Sequence, residues 1–174
     1  MQEKNNNRMR ELRIEKVTLN IGTGKNPEKL DKAMILLERI TNSKPIKTIT
    51  NKRIPSWNLR PGIPVGCIVT VRKKNAEILL KRLLEAVDNT LSRKQIGNGT
   101  FSFGIKEYID IEGMKYDPEI KVMGLEASVT LERRGFRIKR RRLKQKKIGK
   151  KHLITKEETI KFLQEKYNTK IRED

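Results

Sequence analysis

Val65-Gly66-Cys67-Ile68-Val69-Thr70-Val71-Arg72, running on into Lys73-Lys74-Asn75-Ala76-Glu77-Ile78-Leu79-Leu80, is the stretch that decides the fold. Val65, Cys67, Val69 and Val71 alternate with Gly66, Ile68, Thr70 and Arg72, the period of a strand with one buried face. Asn75 offers a helix N-cap, and Ala76, Leu79, Leu80, Leu83, Leu84, Val87 and Leu91 then recur three and four apart, as on a helix stripe. A one-faced strand leading into a one-striped helix implies that the two bury each other, leaving the second face of the sheet bare.

The same grammar extends in both directions. Toward the N-terminus, residues 12–21 read as a strand whose phase slips once. Leu12 and Ile14 share a face, then Val17, Leu19 and Ile21 take it over, which is how a β-bulge appears in sequence. The turn Gly22-Thr23-Gly24 leads to a second helix with Asn26 as N-cap, Pro27 at its first position, Glu28 at the positive dipole end, and Leu30, Ala33, Met34, Leu37 and Ile40 on one side. Residues 45–50 fit a short strand. Residues 51–64 contain Pro55, Pro61, Gly62 and Pro64 and read as a long loop, of the length that is usually functional or disordered.

Toward the C-terminus, residues 93–118 carry Gly97, Gly99, Gly104 and Gly113, with a short strand expected near residues 108–111. Ala127, Val129 and Leu131 alternate with Ser128, Thr130 and Glu132. A turn at residues 133–135 then suggests a hairpin returning through Phe136 to Lys139. Thr155 and Glu158 form a capping box for a last helix, about 156–168, with Ile160, Phe162, Leu163 and Tyr167 on its apolar side. The fold class expected is α+β: a single-domain two-layer sandwich, mostly antiparallel sheet, helices on one face and an open polar, basic face. Residues 1–9, polar and aperiodic, are expected to be a flexible tail, and 10–174 a single domain.

Lys and Arg number 41 against 21 Asp and Glu, a formal net charge of +20 with a pI near 10.2. Such self-repulsion calls for a polyanion, and nucleic acid is the obvious one. A membrane is disfavoured, since no apolar run approaches ~20 residues and no signal-peptide pattern opens the chain. The single cysteine, Cys67, suits a reducing cytoplasm. Aromatics are only 5%, too few for a sheet that reads bases mainly by stacking.

The polar positions of separate strands bring together Lys16, Thr18, Asn20, Thr70, Arg72, Ser128, Thr130, Arg137 and Lys139. Hydroxyls and amides interleaved with cations suit phosphate and sugar contacts; alternation alone would equally describe a solvated face, and the charge tips the reading to RNA. The long loop adds Lys52, Arg53, Trp57 and Arg60. The basic run Arg137, Lys139, Arg140, Arg141, Arg142, Lys144, Lys146, Lys147, Lys150 and Lys151 holds ten cations and no acid. Taking these ten from +20 leaves +10, so the basicity is not confined to one segment. A run like this is ordinarily disordered until it meets a polyanion; the bland alternative is a targeting or non-specific segment.

Enzyme motifs are poor. Gly22-Thr23-Gly24-Lys25 lies between strand and helix, but a P-loop needs Gly where Leu19 stands and Ser or Thr where Asn26 stands. His152 and Cys67, each the sole residue of its kind, cannot build a metal site, and neither a cofactor nor a catalytic residue is expected. Cys67 reads as a small core residue, and His152, amid lysines, as an RNA contact. The rivals to a structural RNA-binding protein are a DNA-compacting protein and an enzyme acting on RNA.

Several ordered stretches carry a family resemblance: Arg10-Glu11-Leu12, Val17-Thr18-Leu19-Asn20-Ile21-Gly22-Thr23-Gly24, Thr41-Asn42-Ser43-Lys44-Pro45, Arg60-Pro61-Gly62-Ile63-Pro64-Val65-Gly66, Val69-Thr70-Val71-Arg72, Phe101-Ser102-Phe103-Gly104-Ile105 and Gly113-Met114-Lys115-Tyr116-Asp117-Pro118-Glu119-Ile120. Together they resemble ribosomal protein five of the large subunit. The basic run followed by Ile154-Thr155-Lys156-Glu157-Glu158 resembles its archaeal form. The resemblance implies a cytoplasmic place in the ribosome, in the central protuberance, with 5S ribosomal RNA docked on the open sheet face. The family's Asn and Thr match Asn20 and Thr70, and Ser43 stands before Lys44 where bacterial members often have glutamine; joined to the polar face read above, they give an expected 5S RNA-binding set of Lys16, Thr18, Asn20, Ser43, Lys44, Thr70, Arg72, Ser128 and Thr130. It places residues 51–62 near the elbow of peptidyl-site transfer RNA, and implies large-subunit ribosomal RNA, neighbouring central-protuberance proteins and a small-subunit head protein as further partners.

Overall fold

A computed structural model describes residues 7–173; residues 1–6 of the expected tail lie outside the described residues. Asn7 caps a short 3-10 turn at Arg8–Arg10, its side chain accepting the Met9 N–H at 2.9 Å. The strand β1, Leu12–Gly22, follows, then α1, Pro27–Thr41, and the short β2, Ile46–Ile49. Next come β3, Pro64–Val71, α2, Lys73–Glu85, and β4, Thr90–Ser92. The chain continues through β5, Thr100–Ile105, β6, Leu125–Arg133, the one-turn α3, Arg137–Arg140, α4, Lys156–Tyr167, and β7, Lys170–Arg172. The main sheet has the order β2-β3-β1-β6-β5 with every neighbour antiparallel, and β4 and β7 make a small parallel pair.

The sequence placed β1 correctly, including its slip. Ile14 pairs with Leu131 but Lys16 with Thr130, so one extra residue, Glu15, is accommodated between them. Beyond the bulge Val17, Leu19 and Ile21 face the core with Cys67, Val69 and Val71 of β3 and Ala127, Val129 and Leu131 of β6. Onto this apolar side pack Leu30, Ala33, Leu36, Leu37 and Ile40 of α1 and Ala76, Leu79, Leu80, Leu83 and Leu84 of α2. Each leucine or isoleucine so removed from water contributes about 1.5–3 kcal/mol, the alanines less. Asn26 caps α1 as expected, accepting the Lys29 N–H at 3.2 Å.

Four expectations are corrected. Asn75 is not the cap of α2: the chain leaves β3 at Arg72, still extended, and enters the helix at once, so Asn75 stands exposed in the first turn. That helix ends at Glu85, because Asp88 and Asn89 adopt left-handed φ values of 54° and 50°. Val87 and Leu91 continue its period only because the turn and β4 still run over the core. The strand in the glycine-rich region is β5, not residues 108–111, where a 3-10 turn at Tyr108–Asp110 stands instead; the buried Tyr108 hydroxyl accepts the Asp117 N–H at 2.9 Å. Lastly, no hairpin follows β6. On the side away from β1 that strand is already paired with β5 as far as Thr130, which leaves only its last residues open to a returning segment, and Gly135, at φ 94°, turns the chain into α3.

The last helix has both halves of the expected capping box, Thr155 accepting the Glu158 N–H and Glu158 accepting the Thr155 N–H at 3.0 Å. It docks where Gly99, at φ +71°, donates its N–H to the buried Thr159 hydroxyl at 3.1 Å. A Cβ on Gly99 would stand 3.2 Å from Ile154, so the close approach needs glycine.

Candidate nucleic-acid interface

Strand registry turns the polar positions into rows across the face opposite the helices. Thr70 of β3 pairs with Thr18 of β1, Thr18 with Ser128 of β6, and Ser128 with Ser102 of β5. Four hydroxyls on four adjacent strands thus form a transverse line roughly 14 Å long, from the spacing of neighbouring strands. Among the described residues none of these hydroxyls has a hydrogen-bond partner; Ser102 and Ser128 are exposed and Thr18 and Thr70 half-buried. On one side of the line lies the row Lys16, Thr130 and Thr100; on the other Asn20, flanked by Ile68 and Glu126. The Asn20 amide nitrogen donates to Glu126 at 3.4 Å, which leaves its carbonyl oxygen as a free acceptor. The surface offers hydroxyls as donors or acceptors, one amide and one lysine, a set suited to phosphates and ribose hydroxyls.

The other expected RNA-facing residues lie at the margins. Arg72 is exposed where β3 passes into α2. Ser43 and Lys44 follow the left-handed Asn42 that ends α1 and lead into the edge strand β2; the Ser43 hydroxyl donates to the Thr41 carbonyl at 3.2 Å. Arg137 and Lys139 are not on the sheet, since they ride on α3, which replaces the expected hairpin. Thr100 and Ser102 do belong to the face and were missed. The signal was present in Thr100-Phe101-Ser102-Phe103-Gly104-Ile105, a strict alternation hidden among glycines.

The 51–62 loop is folded. Ile54 and Leu59 exchange backbone hydrogen bonds at 3.0 and 3.1 Å around a 3-10 turn at Pro55–Trp57, with Asn58 left-handed at φ 52°. Its base is tied by the Thr50 hydroxyl donating to the Arg60 carbonyl at 2.6 Å, and Leu59 is buried. Lys52, Arg53 and Arg60 are exposed, and Trp57 stands 68% exposed at the turn. A rigid tip carrying an uncovered indole among cations can stack on a base or sugar while contacting phosphates.

The basic run is fastened at both ends. At its start, Arg140 forms ion pairs with Glu15 of the β1 bulge and Glu132 of β6, and Arg13 pairs with Glu132 at 2.6 Å. Beyond its end, the buried Arg133 donates to the carbonyls of His152 and Leu153, both at 3.2 Å, and pairs with Glu158 at 2.5 Å. Burial works to raise the Glu158 carboxyl, but the Thr155 N–H and the Arg133 guanidinium outweigh it and hold it below 4.5. Between these anchors Lys146 donates its N–H to the Ile138 carbonyl at 3.1 Å, and Arg141 bonds the Lys144 carbonyl at 2.9 Å. Arg137, Lys139, Arg142, Lys144, Lys146, Lys147, Lys150 and Lys151 are exposed and have no ion-pair partner among the described residues. His152 packs its ring edge-on to Phe136 and bonds the Arg134 carbonyl at 2.9 Å.

The Gly22–Lys25 turn is no phosphate cradle. The N–H groups of Thr23 and Gly24 both donate to the Val65 carbonyl, at 2.9 and 3.1 Å, so the donors a phosphate would need are occupied. Cys67 is buried, which pushes its thiol up to about 11. Among the described residues no group of three His, Cys, Asp or Glu side chains gathers as a metal site, and no helix is long and apolar enough to cross a membrane.

Two family models match the chain: ribosomal protein L5 over residues 7–60, and the C-terminus of the same ribosomal family over residues 64–162. A large ribosomal subunit protein uL5 of Nanoarchaeum equitans is 52% identical over 164 residues, covering 94% of this chain and 97% of that protein. Proteins with the same name from Methanoregula boonei and Archaeoglobus fulgidus are 42% and 44% identical, covering 94% and 92% of this chain and 100% and 90% of theirs. With the sandwich, the open hydroxyl-bearing sheet face and the ordered stretches between them all in place, the chain belongs to the ribosomal protein L5 family.

Proposed function

We propose that this protein binds 5S ribosomal RNA on the open face of its five-stranded sheet and, from the loop between β2 and β3, touches the elbow of peptidyl-site transfer RNA. As an L5-family protein it is an RNA-binding constituent of the large ribosomal subunit, a structural protein of translation and not an enzyme, and its partners include ribosomal RNA and other ribosomal proteins. The finer reading rests above all on the line Thr70, Thr18, Ser128 and Ser102, bracketed by Lys16 and Asn20. Four aligned hydroxyls with no protein partner serve no purpose in folding that valine and alanine would not serve as well. A rigid sheet can present them to an RNA loop without ordering anything on binding, so recognition is by shape and backbone.

Around that face Arg72, Thr130, Ser43 and Lys44 would extend the 5S RNA contact, while Lys52, Arg53, Trp57 and Arg60 meet transfer RNA. The cations of the basic run would grip large-subunit ribosomal RNA, and the central protuberance, with a small-subunit head protein across the interface, is the place the family resemblance gives it. Residues 10–174 would act as one RNA-binding domain.

The test is binding of the full chain to 5S ribosomal RNA, to duplex DNA of equal length and to an unrelated folded RNA across a salt series, with Asn20→Ala and Thr70→Ala alongside. Preference for 5S RNA that survives moderate salt and weakens in both variants is expected. Equal binding of all three ligands, abolished alike by salt, would leave only the basic run as a binding element; preference for duplex DNA would favour a compaction role instead.

A further inference from the structure

A protein of charge +20 that binds RNA keeps three glutamates on the RNA side of its sheet, and for two of them, Glu15 and Glu132, the geometry points to a reason. Glu132 lies two residues beyond Thr130 on β6, so it shares the open face, yet its side chain is only 8% exposed. Glu15 is the extra residue of the β1 bulge, immediately before Lys16, and its side chain is 16% exposed. A carboxylate pair there repels RNA and, sparsely hydrated, repels itself unless cations hold it. Arg140 supplies the cation, with one guanidinium nitrogen on each glutamate, and Arg13 completes the cluster.

We propose that Glu15 and Glu132 are positioning residues that clamp Arg140 and thereby fix the basic run beside the open face, as part of one RNA-binding surface. The bulge sets the clamp directly beside the lysine of the open face, since it lets Glu15 and Lys16 both lie on that side while Ile14 and Val17 stay in the core. With Arg140 held, the chain from α3 to Lys146 closes on itself through the Lys146 to Ile138 hydrogen bond, and Arg133 holds the far end at His152 and Leu153. Two acids thus arrange a set of otherwise unpaired cations ahead of binding, so the RNA need not order that segment itself. The inference rests on the RNA-binding reading for its functional arm and on the protein alone for its structural arm.

The sign of the expected effect is diagnostic. Glu132→Gln and Glu15→Gln each make the protein one charge more positive, and simple electrostatics predicts tighter RNA binding. The clamp predicts the opposite: roughly tenfold weaker binding to 5S ribosomal RNA and to a large-subunit ribosomal RNA fragment, about what ordering one or two long side chains costs on association. Arg140→Gln should weaken binding similarly while removing only one cation. In parallel, trypsin cleavage within residues 139–147 and amide exchange at Lys146 are measured on the free protein. Faster cleavage and exchange there, with unchanged protection in α1 and α2, is the expected result. Glu15→Gln, at the less buried partner, carries the test if Glu132→Gln perturbs the fold as a whole. Unchanged protection of the loop in both glutamate variants, or unchanged or tighter RNA binding with the loop loosened, would overturn the clamp. If the wild type shows a clamped loop but no preference among RNAs, it is the RNA-binding reading that fails.

Discussion

Replacing the hydroxyl line is the most direct challenge to the sheet-face reading: Thr18→Val, Thr70→Val, Ser102→Ala and Ser128→Ala in one protein. These side chains have no hydrogen-bond partner among the described residues, so removing the hydroxyls orphans nothing. Valine preserves threonine's volume and suits a strand at least as well, so the fold should be kept with stability changed by under about 1 kcal/mol. On RNA, each hydroxyl removed costs ~0.5–1.5 kcal/mol, or about fivefold in affinity. The four are cross-strand neighbours and act on one ligand, so their effects will not simply add. A combined weakening of about 2–3 kcal/mol, roughly 30- to 150-fold, is the reasoned outcome. The assay is a filter-binding or fluorescence titration with 5S ribosomal RNA at several salt concentrations. Because no cation is removed, log Kd should shift by a constant while its slope against log salt stays that of the wild type. Wild-type affinity in the quadruple variant would refute the sheet-face site outright. A changed slope would mean that the hydroxyls act only by arranging cations.

Four further outcomes follow from particular side chains. Lys146→Gln with Lys147→Gln should leave the melting temperature alone but flatten the salt slope by roughly 0.7–0.9 for each phosphate no longer neutralised, measured in the same titration. Gly66→Ala would place a Cβ 2.5 Å from the Ile21 carbonyl oxygen and 3.1 Å from the Thr48 hydroxyl, so it should cost ~1–3 kcal/mol, seen as a melting point lower by about 2–4 °C per kcal/mol. The Glu158 carboxyl is held below 4.5, so its stabilisation is complete above its unfolded value and disappears as pH falls through the folded one; Glu158→Gln should destabilise the protein near neutrality yet flatten its acid limb in pH-dependent unfolding. Cys67, buried and with its thiol raised to about 11, should react with a thiol reagent only as fast as the sheet opens, so labelling in native buffer should be far slower than in denaturant.

What the sequence disclosed follows from how local each determinant is. The bulge at Glu15, the caps at Asn26 and Thr155, and the strand read at 65–72 and found at 64–71 each rest on a handful of adjacent residues, and each was legible. The hairpin after β6 was not, because its refutation is topological: whether residues 136–139 can pair depends on β5 having taken the other edge of β6. The same omission hid Thr100 and Ser102, since a strand dispersed among glycines is recognised only once Phe101, Phe103 and Ile105 are seen to share the core with α4. Val87 and Leu91 show the opposite error, a helical period outliving its helix. As to the site, the polar residues of β1, β3 and β6 could be gathered by alternation alone. Their alignment into one line needed the register, and the ion pairs of Arg140 needed the position of α3.

The two family models meet between residues 60 and 64, inside the β2–β3 loop, yet the sheet does not divide there. The central strand, β1, belongs to the first match, while β3 and β6 on either side of it belong to the second. Neither segment can form the hydroxyl line alone, since Thr18 comes from one and Thr70, Ser128 and Ser102 from the other. The clamp on Arg140 has the same character, with Glu15 from the first part and Glu132 from the second. Folding and the creation of the proposed RNA-binding surface are therefore one event in this chain. The pairings that close the sheet bring residues as far apart in sequence as Asn20 and Glu126 into register, and until they form there is a basic chain but no shaped face. A partly folded chain should thus bind RNA through charge without discrimination, and specificity should appear together with the β1–β6 pairing.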